Sequence, residues 1–161
     1  MGAREKFHLL DRFSQGGYRL INDYLRDLEP GSDQLRTDVE LLDQIIDESR
    51  LVSDLVAYRG VGPLELLEWR YQNARFGSII TPDAYLSVTM SEKVGRRFSV
   101  LQGPGILLQL AIPRGSKVFN MVPYSSDPLE EELLLPRGTA FRLLSELDRK
   151  PFVLAKIVND D

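Results

Sequence analysis

Residues 130–138 read EEELLLPRG, three carboxylates followed directly by an apolar run and a Pro-Arg-Gly turn. The apolar run predicts a short buried strand. Side chains two positions apart on a strand share a face, so Glu130 and Glu132 are predicted to point one way and Glu131 the other. Two carboxylates on one face could stabilise a cation, accept a proton or orient a basic substrate. A solvated charge run at a strand entrance is the alternative that this stretch alone leaves open.

The size and composition of the chain predict one globular domain. Its 161 residues allow a sizeable core, and 43% hydrophobic with 27% charged residues is ordinary for a soluble protein. We expect a single domain over residues 1–161, with a helical part in 1–80 and a strand-rich part in 84–158. No window is long and apolar enough for a transmembrane helix, so we expect no membrane insertion.

The residue composition also disfavours several kinds of catalytic and binding site. Cysteine is absent, which removes disulfides and thiolate metal sites, and a single histidine, His8, argues against a zinc site and histidine acid–base catalysis. We expect no metal and place His8 on the surface or in helix packing. The formal net charge of −4 argues against general nucleic-acid binding. Residues 1–17 lack an apolar signal-peptide core, so secretion would use another route, or the chain is the catalytic part of a longer protein.

Helical periodicity dominates the first third. Apolar residues recur at helical spacing from Tyr18 to Leu28, and the pattern stops at Pro30-Gly31. Ser32 is predicted to cap a second helix. Pro63 is predicted to start a third helix, in which Trp69 is a core residue.

Strand patterns dominate the remainder. Residues 106–112 are almost continuously apolar, which predicts a strand buried on both faces. Further strands are predicted at 117–122, 131–135, 140–144 and 152–158, and a short helix at 91–99. Helices followed by a largely antiparallel sheet define an α+β domain.

Several short motifs follow one another in a characteristic order. They are GYRLINDYLR at 17–26, AYRGV at 57–61, AYLSVTMS at 84–91 with Phe98 behind it, GILLQL at 105–110 with PRG at 113–115, and EEELLLPRG at 130–138. In this order the chain resembles the mono-ADP-ribosyltransferase exoenzymes of the arginine, Ser-Thr-Ser and Glu-x-Glu class, which include bacterial binary toxins. The resemblance covers about residues 16–157. It implies helices packed on two small, mainly antiparallel sheets with a central NAD cleft.

The resemblance implies NAD as a co-substrate and assigns residues to its binding. Arg59 would contact the phosphates, for which a guanidinium is well suited because it is always charged and forms paired hydrogen bonds. The backbone of Gly60 would hold the nicotinamide amide, since glycine allows close approach. Phe98 would lie against the nicotinamide ring through stacking and cation–π attraction. A strand-end surface arginine and an ordinary core phenylalanine are the alternatives.

The same resemblance assigns the catalytic groups. Ser87 matches the first family serine, which supports the catalytic glutamate. Thr89 stands where the family has its second serine and keeps the hydroxyl. Glu132 matches the second glutamate of Glu-x-Glu, which holds the ribose and stabilises its developing cation, and Glu130 matches the first, which engages the acceptor guanidinium. A glutamate at position 130 indicates arginine as the acceptor.

The loop at 120–129 precedes Glu130 and corresponds to the acceptor-recognition loop of the family. Tyr124 is its exposed-aromatic candidate for contact with a target protein, with Ser125 beside it, although Tyr124 could instead brace the loop. The implied partner is a protein bearing an acceptor arginine, and a cognate immunity or inhibitor protein is compatible with a toxin. The implied location is the target-cell cytoplasm, reached as a secreted or injected effector.

Two other functions stay open at this point. One is ADP-ribosylation of a nucleic acid, which basic residues at 96–97 and 137–142 could support but the acidic balance disfavours. The other is a non-catalytic module that keeps the fold to bind NAD or a protein. Retention of Arg59, Ser87, Glu130 and Glu132 argues against the second.

Overall fold

The computed structural model describes residues 2–13, 18–25, 31–101, 103–125 and 127–159. The α-helices of this part of the chain are α1 (Ala3–Arg12), α2 (Tyr18–Leu25), α3 (Asp33–Asp47), α4 (Pro63–Phe76) and α5 (Glu92–Phe98). No helix in these ranges is long and apolar enough to cross a membrane.

The helix starts follow local chemistry. Ser32 caps α3, because its hydroxyl accepts a hydrogen bond of 3.1 Å from the backbone N–H of Leu35. Pro63 occupies the first turn of α4, where its missing N–H costs nothing. Ser91 caps α5 through the N–H of Val94. These three starts were predicted and are confirmed. The predicted end of α2 near Pro30-Gly31 falls partly outside the described residues.

The strands form one hydrogen-bonded ladder. They are β1 (Leu55–Val61), β2 (Ile79–Ile80), β3 (Leu86–Thr89), β4 (Ile106–Ile112), β5 (Phe119–Asn120), β6 (Glu132–Leu135), β7 (Phe141–Leu143) and β8 (Val153–Ile157). Their order is β2-β7-β8-β4-β1-β3-β6-β5. Every pairing is antiparallel except that of β4 with β8, which is parallel. The predicted α+β class is confirmed.

The ladder divides into two wings at β1 and β3. These strands pair at a single position, Tyr58 opposite Thr89, whereas β1 and β4 pair along their whole length. The larger wing contains β2, β7, β8, β4 and β1, and the smaller contains β3, β6 and β5. The two small sheets expected from the resemblance are therefore wings of one eight-stranded ladder. Because one pair joins them, β1 and β3 diverge and leave a cleft between them.

Two apolar clusters hold this arrangement. The first lies between α4 and the strands of both wings, and in it Trp69 is 2% exposed and its ring meets Phe141 edge-on at 5.0 Å between centroids. The second joins α1, α2 and α3 to the outer part of the smaller wing through residues such as Leu42 and Leu134. Burying such side chains contributes roughly 1.5–3 kcal/mol each. The N-terminal helices therefore support the wing that carries Glu132.

Candidate active site

A cleft of about 580 Å³ opens where β1 and β3 diverge. Its walls come from both wings, from α5 and from the loop before β6. Among its lining residues are the predicted Arg59, Gly60, Ser87, Thr89, Phe98, Ser125, Glu130 and Glu132. The structure thus brings together side chains that lie up to 73 positions apart in the sequence, counted from Arg59 to Glu132.

Glu132 is the first residue of β6 and is held from β3. Ser87 donates a hydrogen bond of 2.5 Å from its hydroxyl to Oε2 of Glu132. The two strands pair with Ser87 opposite Leu134 and Thr89 opposite Glu132, so the contact runs diagonally across the pair. Burial raises the pKa of Glu132 above its usual value, and nearby Glu130 adds to this effect, while Ser87 and Arg59 oppose it. Ionising Glu132 is therefore unfavourable because of burial, and the hydrogen bond from Ser87 fixes the orientation of its carboxylate.

Glu130 reaches the cleft by a different route from the one predicted. It ends a 3₁₀ turn over Pro128–Glu130 rather than lying on the strand, and Glu131 adopts a left-handed conformation with φ of 49°. The strand starts only at Glu132. The predicted strand alternation is therefore wrong for Glu130. The predicted outcome still holds, since Glu130 and Glu132 both line the cleft and Glu131 is exposed.

Thr89 fixes the backbone next to Glu130. Its hydroxyl donates a hydrogen bond of 2.7 Å to the carbonyl oxygen of Glu130 and accepts one of 3.0 Å from the N–H of Ser91. Thr89 is 5% exposed, so its methyl group faces packed surroundings. Thr89, the last residue of the Ser-x-Thr motif, thus positions the backbone of Glu130, whereas Ser87, its first residue, holds Glu132.

The environment of Glu130 is more open than that of Glu132. Partial burial raises the pKa of Glu130, the charge of Asp127 raises it further, and Arg97 lowers it. The guanidinium of Arg97 lies 3.9 Å from Oε1 of Glu130. The two glutamates therefore differ in depth and in partners, as expected for groups with different tasks.

Arg59 is held by an acidic residue that the sequence analysis did not single out. Its Nε and Nη2 donate to the two carboxylate oxygens of Glu65 at 2.7 and 2.6 Å, and Nη1 donates to the carbonyl of Ser87 at 2.6 Å. Burial opposes the charge on Arg59, but the charge and hydrogen bonds of Glu65 outweigh it, so the pKa of Arg59 lies above its ordinary value. A bidentate contact of this kind fixes the guanidinium plane.

Gly60 is required by packing between β1 and α5. A Cβ at this position would lie 2.3 Å from the backbone nitrogen of Ser99 and 2.4 Å from the carbonyl oxygen of Gly95. Only glycine allows the end of α5 to approach the strand so closely. This contact brings half-buried Phe98 to the cleft wall.

The loop before Glu130 is braced from the helical side. Tyr124 is half-buried, and its ring stacks on Phe119 at 5.7 Å between centroids and approaches Phe7 at 6.2 Å. Tyr124 is therefore only partly exposed and packs as the bracing alternative describes, while its contact with a target protein stays a prediction. Ser125 does line the cleft, and its hydroxyl accepts a hydrogen bond of 3.1 Å from the N–H of Asp127. The loop side of the cleft is thus anchored by apolar packing.

Three polar residues that line the cleft were given no role by the sequence analysis. Glu65 lies in the first turn of α4, six positions after Arg59, and a carboxylate just after a Pro-initiated helix start was the available signal. Asn22 of α2 also lines the cleft and accepts a hydrogen bond of 3.2 Å from the N–H of Tyr85. Tyr58 adjoins Arg59 on β1. Within the described ranges, no group of three or more His, Asp or Glu side chains could hold a metal ion.

Comparison with solved structures identifies the architecture. Plx2a, an ADP-ribosyltransferase toxin from Paenibacillus larvae, aligns with a TM-score of 0.76 and 22% identity over 96% of this chain and 86% of its own. The C3 exoenzyme of Clostridium limosum aligns with a TM-score of 0.77 and 19% identity over 99% of this chain and 87% of its own. Exoenzyme S of Pseudomonas aeruginosa, solved with human 14-3-3 protein beta and carba-NAD, aligns with a TM-score of 0.73 and 16% identity over 94% and 71%.

Comparison at the level of sequence gives the family. A search of curated proteins found no match. The family model for the ADP-ribosyltransferase exoenzyme matches residues 4–154, a span that contains the whole cleft together with the helices that support it. Because that match covers nearly the entire sequence and the same fold recurs in the toxins above, this chain belongs to the ADP-ribosyltransferase exoenzyme family.

Proposed function

We propose that the protein transfers ADP-ribose from NAD to an arginine side chain of a target protein. One observation carries the proposal: two glutamates of unlike environment, Glu130 and Glu132, share a cleft with a fixed guanidinium, Arg59. The reaction needs an anion at the sugar, an acceptor-side base and a cation for the phosphates. Each of these is available in this cleft.

The cleft is suitable for NAD as a substrate. Its volume of about 580 Å³ lies within the range of small-molecule sites. Arg59 offers charge for the pyrophosphate, and Phe98 offers an aromatic wall for the flat nicotinamide ring. The structurally similar Exoenzyme S was solved with carba-NAD, which supports the assignment of the substrate class.

On the donor side, Glu132 would stabilise the positive charge that develops on the nicotinamide ribose. Fixed charges aimed at developing charge contribute most when they need not reorganise. The hydrogen bond from Ser87 orients this carboxylate and opposes the rise in its pKa caused by burial. Ser87 is accordingly a positioning residue and Glu132 a catalytic one.

On the acceptor side, Glu130 would orient an arginine and take up its proton. Its more open position at the cleft mouth suits contact with a second substrate. Partial burial raises its pKa, which improves a carboxylate as a proton acceptor. Ser125 on the neighbouring loop would contact the target protein, while Tyr124 holds that loop in place.

The wider role that we propose is that of a toxin acting on a protein in a target cell. It is supported by the match to the exoenzyme family and by the toxins of the same fold. A cognate immunity or inhibitor protein stays a prediction.

The test measures cleavage of NAD separately from the identity of the acceptor that receives ADP-ribose. The protein is incubated with labelled NAD alone, with agmatine as a small guanidine acceptor, with a nucleic acid and with a cell lysate. We expect nicotinamide release in every arm and labelled product with agmatine and with a lysate protein at arginine. Labelling of the nucleic acid alone would support the nucleic-acid alternative, and NAD binding without nicotinamide release would support a non-catalytic module.

A further inference from the structure

A second arginine, Arg97, lies beside the predicted acceptor-side carboxylate Glu130 and the predicted nicotinamide-binding ring Phe98. Arg97 lies in the last turn of α5, and its Nη2 atom lies 3.9 Å from Oε1 of Glu130. Its guanidinium carbon lies 5.4 Å from the centroid of the Phe98 ring. Both Glu130 and Phe98 line the cleft. The side chain of Arg97 therefore stands where an acceptor arginine would meet its orienting carboxylate.

The contact is loose enough to allow movement. A separation of 3.9 Å is an ion pair without a hydrogen bond, and the Arg97 side chain is 57% exposed. Exposed pairs of this kind are worth about 0–1 kcal/mol. Neighbouring Arg96 differs, because its Nη2 donates a 2.7 Å hydrogen bond to Glu92, its partner one helical turn earlier.

We propose that Arg97 is an internal acceptor, so that the enzyme ADP-ribosylates its own Arg97 side chain. This proposal rests on the proposed function, since it uses the same donor and the same two glutamates. It adds a modification site to the chain itself, opposite the first glutamate.

The step balances without a further reactant. The bond between the ribose C1′ and the nicotinamide nitrogen breaks, and its electron pair leaves with nicotinamide, which becomes neutral. A bond forms between C1′ and a terminal nitrogen of Arg97. That nitrogen loses one proton to the carboxylate of Glu130, which passes it to water. Nothing is oxidised or reduced.

Modification would change the cleft mouth. ADP-ribose carries two phosphate charges and would be attached next to Glu130, so it would repel that carboxylate and fill the approach of an external arginine. We therefore expect transfer to external acceptors to decline as the protein modifies itself. The reaction would limit its own duration.

The experiment locates the modification directly. The full chain is incubated with NAD, digested and analysed by mass spectrometry for ADP-ribosylated peptides, and transfer to agmatine is measured in the same samples. We expect the adduct on Arg97, its loss in Arg97→Lys, and its persistence in Arg96→Lys, the matched control one position away. After preincubation with NAD, transfer to agmatine should fall severalfold in the native chain and in Arg96→Lys, but not in Arg97→Lys.

A mixing arm tests whether the reaction is internal. A tagged Glu132→Gln chain, present with the native enzyme and NAD, should stay unmodified at Arg97, whereas a tagged chain that becomes modified would overturn an internal reaction. Transfer to agmatine without an adduct at Arg97, or with adducts only elsewhere, would overturn the proposed site. Absence of both nicotinamide release and agmatine transfer would instead refute the proposed function itself.

Discussion

The hydroxyl of Ser87 donates to Oε2 of Glu132 at 2.5 Å, which ties the middle of one strand to the first residue of the next. A hydrogen bond to a charged acceptor is worth roughly 1.5–3 kcal/mol, and it favours the ionised form of that acceptor. It therefore counteracts the burial that raises the pKa of Glu132. The protonation state of the half-buried Glu132 depends on this contact.

Ser87→Ala should shift the pH dependence of NAD hydrolysis. Without the hydroxyl the pKa of Glu132 rises further, so the acidic limb of the pH dependence of kcat/KM should move to higher pH. The measurement is a pH–rate profile. Thr37→Ala, which removes a hydroxyl from the exposed face of α3, is the control. An unmoved acidic limb in Ser87→Ala would show that the contact does not tune Glu132.

Glu132→Gln should raise the Tm and lower the rate of nicotinamide release. Because burial raises the folded pKa of Glu132, the ionised carboxylate destabilises the native state, and stability falls as pH rises from the unfolded pKa through the folded one. The variant should thus have a higher Tm than the native chain above that window and an equal Tm below it. Nicotinamide release should fall by about 10²–10³. Calorimetry across pH and a rate assay test both, and a lower Tm at neutral pH would contradict the assignment.

Glu130→Gln should separate transfer from hydrolysis. Because Glu130 stands at the mouth and Glu132 in the interior of the site, Glu130→Gln should lose transfer to arginine and keep measurable NAD hydrolysis, whereas Glu132→Gln should lose both. The measured quantity is the ratio of the two activities. Exposed Glu131→Gln is the matched control. Equal loss of both activities in both variants would refute the division of roles. A transfer defect in Glu131→Gln would show that Glu131, and not Glu130, is the first glutamate of the motif.

Arg59→Ala should mainly raise the KM for NAD. Phosphate binding is shared by ground and transition states, and losing a charge-assisted contact worth roughly 1.5–3 kcal/mol corresponds to about 10–150-fold in affinity. The same change removes the bidentate contact with Glu65, so it should also lower the free energy of unfolding. Arg59→Lys should not restore NAD affinity, because an ammonium cannot reproduce the bidentate plane. Calorimetric titration with NAD checks this, and unchanged affinity in Arg59→Ala would remove Arg59 from the binding site.

Gly60→Ala should destabilise the contact between β1 and α5. The new methyl would lie 2.3 and 2.4 Å from backbone atoms that cannot move independently. Overpacking typically costs about 1–3 kcal/mol, and this site should lie at the upper end, lowering the Tm by about 6 °C or more. Gly2→Ala, whose Cβ meets nothing within 4 Å, is the control. An unchanged Tm in Gly60→Ala would contradict the packing role.

Local patterns in the sequence were sufficient for most of the elements. Ser32 and Pro63 act within one helical turn, and the apolar run at 106–112 forms a buried strand with the predicted bounds. Such features depend on neighbours that are close in the chain, so they can be predicted from composition and spacing. The roles of Ser87, Glu130 and Glu132 came from motif order and stay predictions, although the structure does bring these residues into one cleft.

Contacts between distant residues decided the rest. Thr89 holds the backbone of Glu130 from another strand, the left-handed turn at Glu131 rather than strand alternation directs Glu130 inward, and Tyr124 is covered by Phe119. The pairing of Arg59 with Glu65 and the approach of Arg97 to Glu130 likewise depend on how the helices pack on the wings. By itself the sequence determined the element order, the motif residues and the family resemblance. Tertiary structure alone decided which of these residues meet, because side-chain orientation and burial arise only when the wings and helices are packed together.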